Sequence, residues 1–154
     1  MQDPIKKVRI RQATAADADQ LCKLLTLLFA QEADFKPDAM LQLRGLRLIL
    51  DQPEVGRIYC ETKGKSVIGM LSILFTVSTA EGGPAAWLED MVVRPNWRRK
   101  NVGAKLLHEA INQVRSEGCT RITLLTDSTN NAAIHFYEKA GFIRSGMIPL
   151  RLHL

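Results

Sequence analysis

Cysteine is scarce in this chain, and each one stands alone: Cys22, Cys60 and Cys119 are far apart, with no Cys-x-x-Cys pair and no neighbouring histidine. That argues against a disulfide framework and against a zinc site, and no metal is expected; the thiols read as buried and reduced. No apolar run approaches the roughly 18 residues that a bilayer-spanning helix needs. The opening Met1-Gln2-Asp3-Pro4-Ile5-Lys6-Lys7 has no apolar signal core, so the expected location is the cytoplasm, without membrane contact. Aromatic residues make up only 6%, with no stacking surface among them and no recognisable reading helix, so a nucleic-acid partner is not expected despite a net charge of +5. Repeats, low-complexity runs and linkers are also missing. What remains, 154 residues with 46% hydrophobic and 24% charged, suits one globular domain over 1–154 with a real core.

Basic and acidic residues interleave everywhere except from Arg94 to Lys105. This cluster lies inside the stretch around which the chain is organised. Trp87 to Val93 reads as a strand, and Pro95 ends it because it cannot donate to a ladder. Leu106, Leu107, Ala110, Ile111 and Val114 then recur at helical spacing. The loop between therefore feeds a helix N-terminus, where orphan N–H groups and the helix dipole favour anions, and Arg98, Arg99 and Lys100 add formal charge. The combination predicts a pyrophosphate cradle.

The run Arg98-Arg99-Lys100-Asn101-Val102-Gly103 resembles the acyl-CoA loop of the GCN5-related N-acetyltransferases, Gln/Arg-x-x-Gly-x-Gly/Ala, with Asn101 standing where the family has its first glycine. Asparagine is among the few non-glycine residues that enter the left-handed region at modest cost. Downstream, Asn130-Asn131-Ala132-Ala133-Ile134-His135-Phe136-Tyr137-Glu138-Lys139-Ala140-Gly141-Phe142 is similar to the family's second signature, Asn-x-x-Ala-x-x-Phe-Tyr-x-x-x-Gly-Phe. The resemblance implies an α/β (α+β) fold, a mixed central sheet of six to seven strands flanked by about four helices and splayed to grip acetyl-CoA. It also implies transfer of an acetyl group from acetyl-CoA to a primary amine by direct attack in a ternary complex. A non-catalytic acyl-CoA-binding or sensing module is the alternative.

Along the chain, Val8 to Arg11 alternates as a short strand, and Thr14-Ala15-Ala16-Asp17 resembles a helix cap. Ala18, Leu21, Leu25 and Leu28 form the stripe of a first helix. Pro37-Asp38 opens a second, dominated by Met40, Leu43, Leu46, Leu48 and Leu50. Arg57 to Glu61 and Ser66 to Thr79 read as a hairpin whose second arm is apolar enough to be covered on both faces, with Gly69 marking a bulge or close packing. Arg121 to Thr126 is a further buried strand, Asp127-Ser128-Thr129 can cap the next helix, and Phe142 to Leu154 is apolar enough for one or two more strands.

Acetyl transfer needs an acceptor for the amine's proton and a donor for the departing thiolate. Tyr137 suits the second task, since a phenol near pKa 10 roughly matches an alkyl thiolate and the family places this tyrosine at the thioester sulfur. Glu89 is the expected base, directly or through water, because relatives with a Leu-Glu-Asp run use that glutamate. Strand alternation sends Glu89 and Asp90 to opposite faces unless a bulge intervenes. The resemblance further implies that Asn130 and Ala133, the backbones of Met91 and Val93, and the loop from Arg98 through Val102, Gly103 and Ala104 bind the cofactor. It places the acceptor near the junction of the first two helices, at Glu32, Asp34 and Phe35, with a solvated acidic loop and Phe35 tucked under it as the alternative. Glu81, on a flexible turn, is a further substrate candidate, with simple solvent exposure as its alternative. These carboxylates suggest a cationic small-molecule or peptide amine; a homodimer is left open.

Overall fold

The computed structural model describes residues 8–154; the opening seven residues, including the stretch read as lacking a signal core, lie outside the described residues. β1 (Val8–Gln12) is followed by a single 3-10 turn whose start is closed by Asp17, which accepts the Thr14 amide at 2.8 Å. Both Asp17 oxygens also take hydrogen bonds from Arg11, each at 2.8 Å, and this guanidinium holds the carboxyl below its ordinary range. The expected cap is therefore present, with an arginine locking it.

α1 (Ala18–Phe29) and α2 (Ala39–Leu50) pack on one face of the sheet. Asp38 caps α2 by accepting the Leu41 amide, and buried Gln42 ties the two helices by donating to the Cys22 carbonyl and the Thr26 hydroxyl. Of the apolar set expected to dominate α2, only Leu46 is fully buried, and Met40 and Leu48 face outward.

β2 (Gly56–Lys63), β3 (Ser66–Ser78), β4 (Gly83–Val93) and β5 (Ile122–Leu124) complete a sheet ordered β1-β2-β3-β4-β5. All neighbours are antiparallel except β4 and β5, so the sheet is mixed, as the hairpin pattern requires. β3 is covered on both faces, by α1 and α2 on one and by α3 (Val102–Ser116) on the other. Gly69 fulfils both of its expected roles: it sits beside a β2–β3 register shift, and a Cβ there would meet Val102 at 3.2 Å. α4 (Asn131–Lys139) follows β5 and ends at Gly141, whose φ of +100° suits glycine.

Two expectations need correction. Among the described residues the sheet has five strands rather than six or seven, because residues 143–154 join no ladder. Pro149 has no amide to donate, and Arg151 instead draws the segment toward Asp34 at 3.2 Å. The cap of α4 is Asn130 itself, whose side chain accepts the Ala133 amide, while Asp127 closes a local turn on Thr129. No helix among the described residues is long and apolar enough to cross a membrane.

Candidate active site

The β3–β4 register places Leu71 opposite Met91 and Ile73 opposite Leu88, so Glu89 and Asp90 together oppose Ser72. This is a β-bulge, and it overturns the regular alternation in which Glu89 would share a face with Met91. Leu88 and Met91 both belong to the α3 side, whereas Asp90 joins Ser72 toward α1 and α2. The Ser72 hydroxyl donates to Asp90 Oδ2 at 3.2 Å and accepts the Asp90 amide at 3.0 Å. Burial pushes the Asp90 carboxyl up to about 6, and the charges of Glu89 and Glu32 act in the same direction. Glu32 is raised in turn, by burial first and then by Asp34 and Glu89. Glu32, Glu89 and Asp90 are thus within electrostatic reach of one another, with Glu89 exposed on β4 and Asp34 close to Glu32.

On its other side, β4 loses its neighbour early. The parallel ladder ends at Leu88 opposite Leu124, yet β4 continues to Val93, so the edge at Met91 to Val93 extends past the end of β5. α4 faces this edge. Tyr137 donates its hydroxyl to Met91 Sδ at 3.7 Å, and its ring is held edge-on by Phe136 and Phe142, with centroids at 5.2 and 5.7 Å. Burial pushes the phenol up to about 12, so it stays protonated at neutral pH. Asn130 and Ala133, both expected at the cofactor, are joined to each other by the cap of α4.

The loop after β4 is pinned before it becomes a cradle. Arg94 donates through Nε to the Val67 carbonyl and through its amide to the Ile68 carbonyl, and the ammonium groups of Lys63 and Lys100 each lie over the Trp97 ring, 4.7 and 5.1 Å from its centroid. Arg98 donates to the Val93 carbonyl. Arg99 and Asn101 both adopt positive φ, 56° and 64°, and Asn101 caps α3 from the left-handed region where glycine ordinarily stands. Among the described residues no carboxylate forms an ion pair with Arg98, Arg99 or Lys100. The first N–H groups of α3, from Val102, Gly103 and Ala104, have no intrahelical acceptor. Gly103 turns inward: a Cβ on it would meet Met91 Cε at 3.2 Å and Phe136 at 3.6 Å. These features fit an anionic, pyrophosphate-bearing ligand entering beside β4.

Phe35 leans on Phe29 and lies under the Arg151 guanidinium, while Asp34 pairs with Arg151. Glu81 is set apart: it accepts the Thr120 hydroxyl and pairs with Arg121, at the end of β4 opposite the cradle. Two residues at the site escaped sequence reasoning. Ser72 signals itself only as a lone polar residue in the apolar run of β3, and Arg151 gives no local signal.

The profile of the Acetyltransferase (GNAT) family matches residues 19–142. Glucosamine 6-phosphate N-acetyltransferase of Trypanosoma brucei brucei is 30% identical over 101 residues, 65% of this chain and 66% of that protein. The chain spans less than two thirds of the length of each of the first curated relatives it matches. Among solved structures, an integron cassette protein from the mobile metagenome of Cole Harbour Salt Marsh superposes with a TM-score of 0.82 at 28% identity, covering 94% of this chain and 90% of that one. An aminoglycoside acetyltransferase from an uncultured soil metagenomic sample, in complex with sisomicin, shares the fold with a TM-score of 0.78 at 18% identity, covering 96% of each chain.

Proposed function

Because the chain belongs to the Acetyltransferase (GNAT) family, we propose that it transfers an acetyl group from acetyl-CoA to a cationic primary amine by direct attack in a ternary complex. The observation that carries this is the pairing of two functions across β4: the Tyr137 hydroxyl on the side where the strand outruns β5, and the bulge carboxylates on the side of α1 and α2. Acetyl-CoA supplies an activated acyl thioester. Arg98, Arg99 and Lys100, with the first N–H groups of α3, would hold its pyrophosphate. Asn130 and the backbones of Met91 and Val93 would align the pantetheine arm. Glu89, directly or through water, takes a proton from the bound amine; the freed nitrogen forms the new C–N bond as the C–S bond breaks. Tyr137 gives its proton to the departing thiolate.

Glu32, Asp34, Glu89 and Asp90 select the acceptor by charge, favouring a polyamine, an aminoglycoside-like amine, an amino-acid derivative or a peptide lysine over anionic amines. The test is release of free CoA thiol with a panel of such amines, beside calorimetric binding of acetyl-CoA. Amine-dependent thiol release, strongest with polycationic acceptors, supports the proposal. Tight acetyl-CoA binding without turnover on any amine identifies a sensing module instead.

A further inference from the structure

The α1–α2 connector already carries a cation. Arg151 reaches it from 117 residues further along the chain, with Nη1 3.2 Å from Asp34 Oδ2 and the guanidinium carbon 5.5 Å from the centre of the Phe35 ring. An ion pair with a carboxylate and a place over an aromatic face are the two contacts that a cationic amine would make with this connector. Glu32, Glu89 and Asp90, by contrast, have no cation at ion-pair distance among the described residues. One acid on the acceptor side is therefore occupied and the others are open.

Little else holds the occupant in place. Residues 145–154 make no other hydrogen bond or ion pair to the rest of the chain among the described residues, and Leu150 and Leu152, on either side of Arg151, are almost fully exposed. The Asp34 and Arg151 side chains are themselves 70% and 48% exposed. A pair this open to water is weak and screened by salt, so a ligand cation competes with it on nearly equal terms. Glu32 senses the charges of both Asp34 and Glu89, so an acceptor with its reacting amine at Glu89 would present a second ammonium group to Glu32 and Asp34.

Resting on the acetyl-transfer reading proposed above, we infer that Arg151 is a specificity-determining residue of the acceptor site: a resident cation that holds Asp34 and Phe35 until the second ammonium group of a di- or polyamine displaces it. A monoamine has no such group and leaves Arg151 where it is. The guanidinium thus weakens the binding of polyamines selectively and leaves the chemical step alone.

The test compares the parent with Arg151→Gln and Arg151→Lys, using spermidine and butylamine as acceptors at low ionic strength. In CoA thiol release, Arg151→Gln is expected to lower the KM for spermidine ~3- to 10-fold with kcat within about twofold, and to leave the KM for butylamine unchanged. Arg151→Lys keeps the charge and is expected to stay closer to the parent than to Arg151→Gln. In an Asp34→Asn background, Arg151→Gln is expected to have no further effect on KM, because the carboxylate that both cations share is gone. An unchanged spermidine KM in Arg151→Gln, an equal fall for butylamine, or a fall that persists in the Asp34→Asn background overturns the inference. Calorimetric binding of spermidine to the CoA-bound proteins makes the same comparison without turnover. A Kd tightened ~3- to 10-fold in Arg151→Gln supports the inference and an unchanged Kd overturns it, even where no amine is acetylated and the acetyl-transfer reading itself fails.

Discussion

Ser72 and Asp90 hold each other reciprocally: the hydroxyl donates to the carboxylate, and the aspartate amide donates back to the same hydroxyl oxygen. The pair fixes the bulge that turns both β4 carboxylates to one side, at the expense of burying an acid whose pKa rises from 3.8 to about 6. A raised acid binds its proton more tightly in the folded state, so its stabilising contribution is complete below about pH 4 and lost as pH rises through 6. Asp90→Asn removes that loss. The variant is expected to match the parent near pH 4 and to exceed it by roughly 1–3 kcal/mol at pH 7.5. Denaturant melts at the two pH values check this; an equal difference at both contradicts the assigned burial.

The same bulge makes the choice of base an experimental one, since facing no longer separates the two carboxylates. With Glu89 as the base, Glu89→Gln is expected to lower kcat about 100-fold and to flatten the acidic limb of the pH–rate profile, leaving acetyl-CoA affinity intact. Asp90→Asn is expected to shift that limb without abolishing it. A limb that survives in Glu89→Gln and vanishes in Asp90→Asn assigns the proton transfer to Asp90.

Gly103 supports the cradle from within. A valine there would press on Met91 and Phe136, and through Met91 on the Tyr137 hydroxyl. Gly103→Val is expected to destabilise by ~1–3 kcal/mol and to weaken acetyl-CoA binding more than ~10-fold. Asn101→Gly relieves a left-handed residue and is expected to be neutral or to stabilise by up to about 1 kcal/mol. Calorimetry on folded protein checks both; unchanged affinity in Gly103→Val removes the loop from the cofactor site.

Much of this architecture was legible because its signals are local. Pro95, the apolar spacing from Leu106 to Val114, and the Asn130-to-Gly141 run each specify an element through the chemistry of neighbouring residues. Asn101 could be read as a left-handed residue for the same reason, and it is one. The bulge was not legible because it depends on Ser72, 18 residues upstream and across a ladder. The C-terminal strands failed for a related reason: the composition of residues 142–154 reports an apolar segment that needs burial, but not which surface buries it. The apolar positions of α2 misled similarly, since helical spacing does not say whether a second layer covers the far face.

Tyr137 gives the most direct test of the proposed chemistry, because its phenol stays protonated and its hydroxyl donates to Met91 Sδ on β4. The measurement is amine-dependent CoA thiol release by the parent and by Tyr137→Phe, each with its acetyl-CoA affinity determined on the same sample. The expected result is robust turnover by the parent, a ~10- to 1000-fold lower kcat in the variant and unchanged cofactor affinity. Equal turnover by the two proteins, or acetyl-CoA binding by the parent with no acetylated amine, contradicts the proposed mechanism.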